Sequence, residues 1–140
     1  MIIQYETYKK LMTQLNPVFP EKGGLLGGKN GIITCFEKDK SAITNTANQY
    51  TPNIYYLNMI LSHWNIDCIE FYGIVHTHPY AQEELSNDDI DYISKIMQAM
   101  PKKIRSLYFP IVTDEQTIIS YKISLKHNSI IIINDAVSLI

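Results

Sequence analysis

Residues 76 to 89 of the 140-residue chain read HTHPYAQEELSNDD, and they concentrate the side chains best suited to chemistry. His76 and His78 are separated by one residue. On a strand, residues i and i+2 share a face about 6 to 7 Å apart, so both imidazoles can converge on one ion while Thr77 points away. Pro79 ends such a strand, six residues follow, and Ser-x-x-Asp (Ser86, Asp89) then opens a helical pattern. A carboxylate in the first turn of that helix can swing back over the strand end. It would complete a His, His, Asp set that suits zinc with one coordination position left open. Ser86 and Asp89 have a purely structural reading as well. Ser-x-x-Asp is a variant of the capping box, and the acids Asp88, Asp89 and Asp91 suit the positive end of a helix dipole. The two roles are compatible.

Upstream, Glu21, Gly24, Leu25 and Gly28 stand in PEKGGLLGG. Taken by itself, Glu21 is better explained as a solvated loop residue. Combined, the segments resemble the JAMM metalloproteases, also called MPN-plus or JAB-domain peptidases. Their motif is an upstream Glu, often in ExxGLxxG, followed by HxHPx6SxxD, and His76, His78, Pro79, Ser86 and Asp89 match it without a gap. The resemblance extends to the order of helices and strands from about residue 4 to residue 125. It implies an α/β (α+β) fold, a curved mixed β-sheet flanked by helices, related to that of the cytidine deaminases. It implies Zn2+ held by His76, His78 and Asp89, with Glu21 as general base and acid and Ser86 as oxyanion donor. It also implies a peptidase or isopeptidase that cuts after the C-terminal tail of a ubiquitin-like or sulfur-carrier protein. The minimal 79–86 loop leaves little room for the insertions of deubiquitinating members and points to a stand-alone, prokaryote-type enzyme. Part of the family has lost its ligands and only assembles complexes, so a catalytically silent scaffold is the alternative. A zinc deaminase is a weaker one, because its HxE and PCxxC pattern is absent.

The elements that must position these residues follow from periodicity. Tyr5, Tyr8, Leu11, Met12 and Leu15 recur at helical spacing over 4–15. Residues 20–40 read as a hairpin, with GGKNG as its turn, followed by a polar loop at 41–51. Ile54, Leu57, Leu61 and Trp64 define a second helix with Pro52 in its first turn. Residues 68–75, CIEFYGIV, are apolar on both faces and predict a central, covered strand ending at the histidines. Ile90, Ile93, Met97 and Met100 give a third helix over 87–100. Strand-like runs at 106–112, 117–124 and 129–134 finish the chain, with Pro110 marking an edge or a bulge in the first of them.

Length and a 46% hydrophobic content fit one domain over residues 1–140. The formal charge of −2 offers no basic surface for nucleic acid. No signal-like start is seen and no apolar run approaches the length of a membrane span, which makes the cytoplasm the expected location. Cys35 and Cys68 lack CxxC spacing and are expected to be buried thiols. GGLLGGKN is one hydroxyl short of a phosphate loop, but a strand rather than a helix follows it, and its glycines are better read as turn and close-packing residues. His63 and His127 read as surface residues. Tyr80, directly after HTHP, is a candidate for the wall of a substrate groove.

Overall fold

The computed structural model describes residues 1–40 and 49–140. The elements in chain order are β1 (Ile2–Ile3), α1 (Tyr5–Gln14), β2 (Gly23–Lys29), β3 (Ile32–Lys38), α2 (Ile54–Ile66), β4 (Glu70–His78), α3 (Asn87–Ala99), β5 (Ser106–Tyr108), β6 (Ile111–Thr113), β7 (Ile118–Lys126), β8 (Ser129–Asp135) and β9 (Ser138–Leu139). The strands form one mixed sheet. β4 lies at its centre, antiparallel to β2 on one side and parallel to β5 and β6 on the other. β7 is antiparallel to both β5 and β6, and β8 adds to β7 as an edge. β3, β1 and β9 extend the opposite wing.

Successive strand residues point to opposite faces, and here that alternation builds two cores. Leu25 and Ile74 join Leu57, Ile60 and Trp64 of α2 and Ile93 and Met97 of α3. Their neighbours Leu26 and Val75 face the other way, against Leu11 of α1, Leu15, Ile33 and Phe36. β4 is therefore covered on both sides, as its continuous apolar run predicts, and it carries His76 and His78 onto the face packed by α2 and α3. The loss of apolar area from water on both faces is what fixes its register.

Several local expectations need correction. The hairpin turn is the pair Asn30 and Gly31, both at positive φ (54° and 79°), so Gly27, Gly28 and Lys29 of GGKNG belong to the strand rather than the turn. Gly24 and Gly28 serve close packing, as expected. A Cβ on Gly24 would lie 2.3 Å from the Glu37 carbonyl oxygen, and one on Gly28 would lie 1.9 Å from that of Ile32. Pro52 lies outside α2, whose N-cap is Asn53, and Ile54 is exposed while Ile60 is buried. Cys68 is exposed at positive φ before β4 begins, and Cys35 is only half-buried. Pro110 is neither at a sheet edge nor in a simple bulge: it splits the run at 106–112 into β5 and β6, which lie between β4 and β7. The two-residue strands β1 and β9 are additional. Of the polar loop at 41–51, residues 41–48 lie outside the described residues. His63 and His127 are exposed, as expected. No helix among the described residues is long and apolar enough to cross a membrane.

Candidate metal centre

His76 and His78 come from the buried end of β4, and Asp89 from the first turn of α3. All three are nearly inaccessible, at 0%, 2% and 3% exposure. Thr77, between the histidines, turns to the opposite face and donates to the Val18 carbonyl at 2.7 Å. α3 starts at Ser86, whose hydroxyl accepts the Asp89 N–H at 3.1 Å, while the Asp89 carboxylate accepts the Ser86 N–H at 2.8 Å. This is the capping box expected from Ser-x-x-Asp, with Asp in place of Glu. The cap and the cluster share one carboxylate, so the helix start aims Asp89 Oδ2 at the strand end.

His76 Nε2 lies 3.2 Å and His78 Nε2 3.0 Å from Asp89 Oδ2, and the two ring nitrogens are 2.9 Å apart. Hydrogen bonding between neutral rings and the carboxylate cannot satisfy all three edges of such a triangle at once. The His78 Nδ1 faces the Gln82 carbonyl at 3.2 Å, an acceptor, so Nδ1 carries the proton and a neutral ring turns a bare lone pair at Nε2 toward the carboxylate. The His76 Nδ1 faces the Tyr92 hydroxyl at 3.4 Å, a group that can donate or accept. A cation between the three atoms removes the conflict. Ligands about 2.0 to 2.1 Å from a tetrahedral ion stand about 3.3 Å apart, close to the observed edges. Outer partners that fix the ring nitrogen facing away are a regular feature of histidine metal sites. His76, His78 and Asp89 thus form a buried group that can hold a metal ion.

Without an ion, burial and mutual charge set the titration of the three groups. Burial pushes the Asp89 carboxyl up, but the two imidazoles and the Ser86 N–H outweigh it and hold the group far below the usual carboxylate range. Burial holds His76 below its ordinary value, against the pull of Asp89. Burial also opposes protonation of His78, but Asp89 and Glu21 prevail and raise it.

Glu21 precedes β2 and is half-buried beside the cluster, near enough to His78 and Asp89 to feel both charges. Its Oε2 accepts the Tyr50 N–H at 2.7 Å. Burial, aided by the negative charge of Asp89, raises its pKa above the model-compound 4.5; the Tyr50 N–H and His78 oppose the rise. The structure therefore gathers His76, His78, Asp89 and Glu21 in one place, with Ser86 at the rim as the cap of α3. Tyr80 is 80% exposed, with its ring 6.5 Å from that of Phe19.

Two residues the sequence did not single out complete the site. The Tyr50 ring lies nearly parallel to His76 (18° between planes, centroids 6.0 Å apart), and its hydroxyl donates to Asp39 Oδ2 at 2.6 Å. The same oxygen accepts the Asn53 N–H at 2.9 Å. Asp39 thereby anchors the segment that offers its backbone to Glu21. Gly23 makes this possible, since a Cβ there would lie 2.5 Å from the Val75 carbonyl oxygen and 2.7 Å from the Tyr50 ring. A polar residue after a strand and a buried tyrosine in a loop leave no periodic trace in sequence. The only available signal was the Asp between two lysines.

A larger cavity, about 880 Å³, lies at the opposite end of β4, lined in part by Trp64, Phe71 and Arg105. It includes none of the clustered ligands.

No protein-family model matches the chain, and no curated protein sequence does. Solved structures do. A protein from Desulfitobacterium hafniense, determined in solution, superposes with a TM-score of 0.68 at 15% identity, covering 99% of this chain and 92% of its own. The crystal structure of a JAB1/MPN domain protein from Archaeoglobus fulgidus superposes with a TM-score of 0.57 at 15% identity, covering 100% and 99%. The protein thus has a mixed α+β fold of the JAB1/MPN type, with a His-His-Asp group at the end of its central strand that can bind metal.

Proposed function

We propose that the protein is a zinc-dependent peptidase or isopeptidase that cleaves after the C-terminal tail of a ubiquitin-like or sulfur-carrier protein. The observation that carries this reading is the triangle of His76 Nε2, His78 Nε2 and Asp89 Oδ2 beside the half-buried Glu21. In this reading His76, His78 and Asp89 hold Zn2+. When bound, the ion supplies Lewis acidity, which makes water acidic near neutral pH and polarises a carbonyl.

The remaining roles belong to the chain's own groups. Glu21 is kept in place by the Tyr50 N–H, and its raised pKa suits a group that accepts a proton from water and returns it to the leaving amine. Ser86 uses its oxygen to accept the Asp89 N–H, which leaves the hydroxyl proton to donate to the oxyanion of the tetrahedral intermediate. Tyr80 and Phe19 form an exposed aromatic flank suited to gripping an extended tail. A tail ending in Gly-Gly fits this reading because residues without a Cβ let their backbone approach a buried group closely.

The test uses purified protein loaded with Zn2+ and a panel of ubiquitin-like and sulfur-carrier proteins extended beyond Gly-Gly. Cleavage at the Gly-Gly boundary, lost in Glu21→Gln while metal content and fold are retained, supports the reading. Protein that binds such partners without metal and without cleavage is a scaffold, and the proposal is then wrong.

A further inference from the structure

The Glu21 flank of the site opens into a cleft of about 160 Å³ walled by Glu21, Lys22, Lys38, Asp39, Lys40 and Tyr50. Three cations meet two carboxylates there, yet the charges are not paired. Glu21 Oε2 is taken by the Tyr50 N–H, and Asp39 Oδ2 by the Tyr50 hydroxyl and the Asn53 N–H. Among the described residues none of the three lysines makes an ion pair, and residues 41–48, SAITNTAN, contain no acid to supply one. Lys40 lies over the Tyr56 ring at 4.7 Å.

Lys22 is the most constrained of the three. Its N–H donates to Thr77 Oγ1 at 3.0 Å, and its carbonyl accepts the Thr77 N–H at 2.8 Å. The residue is thus pinned to the strand segment between the two histidines. It is half-buried, and burial together with Lys38 lowers the pKa of its ammonium group. Partly desolvated like charges with no ion-paired partner are unfavourable, and an incoming anion relieves them.

We propose that this cleft is a subsite for a carboxylate on the leaving side of the scissile bond, with Lys22 as the principal contact and Lys38 and Lys40 as the surrounding field. The side follows from the functional reading above, on which this inference rests: Glu21 returns its proton to the leaving amine, and the cleft begins at Glu21. The carboxylate is either the free C-terminus of the released residue or its acidic side chain. The chemistry is the same, and the substrate is one whose trimmed residue carries negative charge.

The experiment compares synthetic tails ending in Gly-Gly followed by one residue: glutamate, glutamine, or glutamine with its C-terminus amidated. The values of kcat/KM are measured with zinc-loaded wild type, Lys22→Gln and Lys22→Glu. A charge-assisted contact at a half-buried lysine predicts about a tenfold preference of wild type for the glutamate tail over the amidated one. The free-acid glutamine tail assigns the preference: to the terminal carboxylate if it matches glutamate, to the side chain if it matches the amide. In Lys22→Gln the ratio collapses toward one, and in Lys22→Glu it inverts. Equal rates on all three tails in wild type, or an unchanged ratio in Lys22→Gln, overturn the subsite while leaving the peptidase reading intact. If no tail is cleaved, the peptidase reading fails and calorimetry with the same tails decides the cleft separately. Tighter binding of the glutamate tail by wild type than by Lys22→Gln supports it, and equal or undetectable binding overturns it.

Discussion

Replacing Tyr50 by Phe removes a single oxygen and tests the brace that connects Asp39 to the site. The hydroxyl donates to Asp39 Oδ2 at 2.6 Å in a buried setting, and a hydrogen bond to a charged group contributes about 1.5 to 3 kcal/mol. After the substitution the Asp39 carboxylate keeps backbone N–H contacts from Asn53 and Lys40, while Oδ1 has no hydrogen-bond partner among the described residues, so no second side chain replaces the lost hydroxyl there. Phe retains the ring stacked on His76, which confines the change to the polar contact. The expected loss is about 2 kcal/mol, read in urea unfolding as a lower midpoint with an unchanged slope. It corresponds to a fall in Tm of about 6 to 8 °C for a chain of this size. A double-mutant cycle with Asp39→Asn isolates the pair and is expected to give a coupling of about 1 to 2 kcal/mol. A midpoint unchanged within error in Tyr50→Phe, or additive effects in the cycle, would refute the brace.

The remaining expectations are briefer. Ser86→Ala removes the cap of α3 at a cost of about 1 kcal/mol; the proposed oxyanion role adds about a 100- to 1000-fold loss in kcat with metal content retained, checked by elemental analysis beside the rate. Metal loss in that variant would make the serine structural only. Glu21 must be ionised to accept a proton, so kcat/KM is expected to fall with acid in a limb that the residual activity of Glu21→Gln lacks, and an acid limb unchanged in that variant counts against Glu21 as the base. In the metal-free protein the raised pKa of Glu21 has a sign for stability. The folded state holds the Glu21 proton more tightly than the unfolded chain, so stability falls as pH rises through the raised pKa, and Glu21→Gln should be more stable than wild type at pH 7 by urea unfolding.

The grouping of the candidate metal-binding residues with the helix cap was legible because they are local. His76, His78, Ser86 and Asp89 lie within one strand–loop–helix unit, where the periods of two and 3.6 residues dictate which side chains share a face. The position of Glu21 beside the group could be expected only from the resemblance, since nothing in PEKGG distinguishes a half-buried acid from a solvated one. The covered central strand could be read from its doubly apolar pattern, and α1 and α3 from their stripes. What stayed hidden depends on distant contacts. β1 and β9 are two residues each and exist because Ile2 and Ile3 pair with Ile32, Ile33, Ser138 and Leu139. Pro110 reads as an edge signal, yet two flanking strands absorb it by leaving the ladder around it broken, and its carbonyl still accepts the His76 N–H at 3.1 Å. Asp39 and Tyr50 act through hydrogen bonds that link a strand end to a loop, for which no spacing rule exists.

The central claim is that one divalent ion sits between His76, His78 and Asp89, and calorimetric titration of chelator-stripped protein with Zn2+, paired with thermal unfolding, addresses it most directly. The account predicts one ion per chain, stabilisation of about 2.7 kcal/mol when free zinc is a hundredfold above Kd, and loss of both in His76→Ala and Asp89→Ala. Absence of stoichiometric binding, or binding that survives both substitutions, would contradict it.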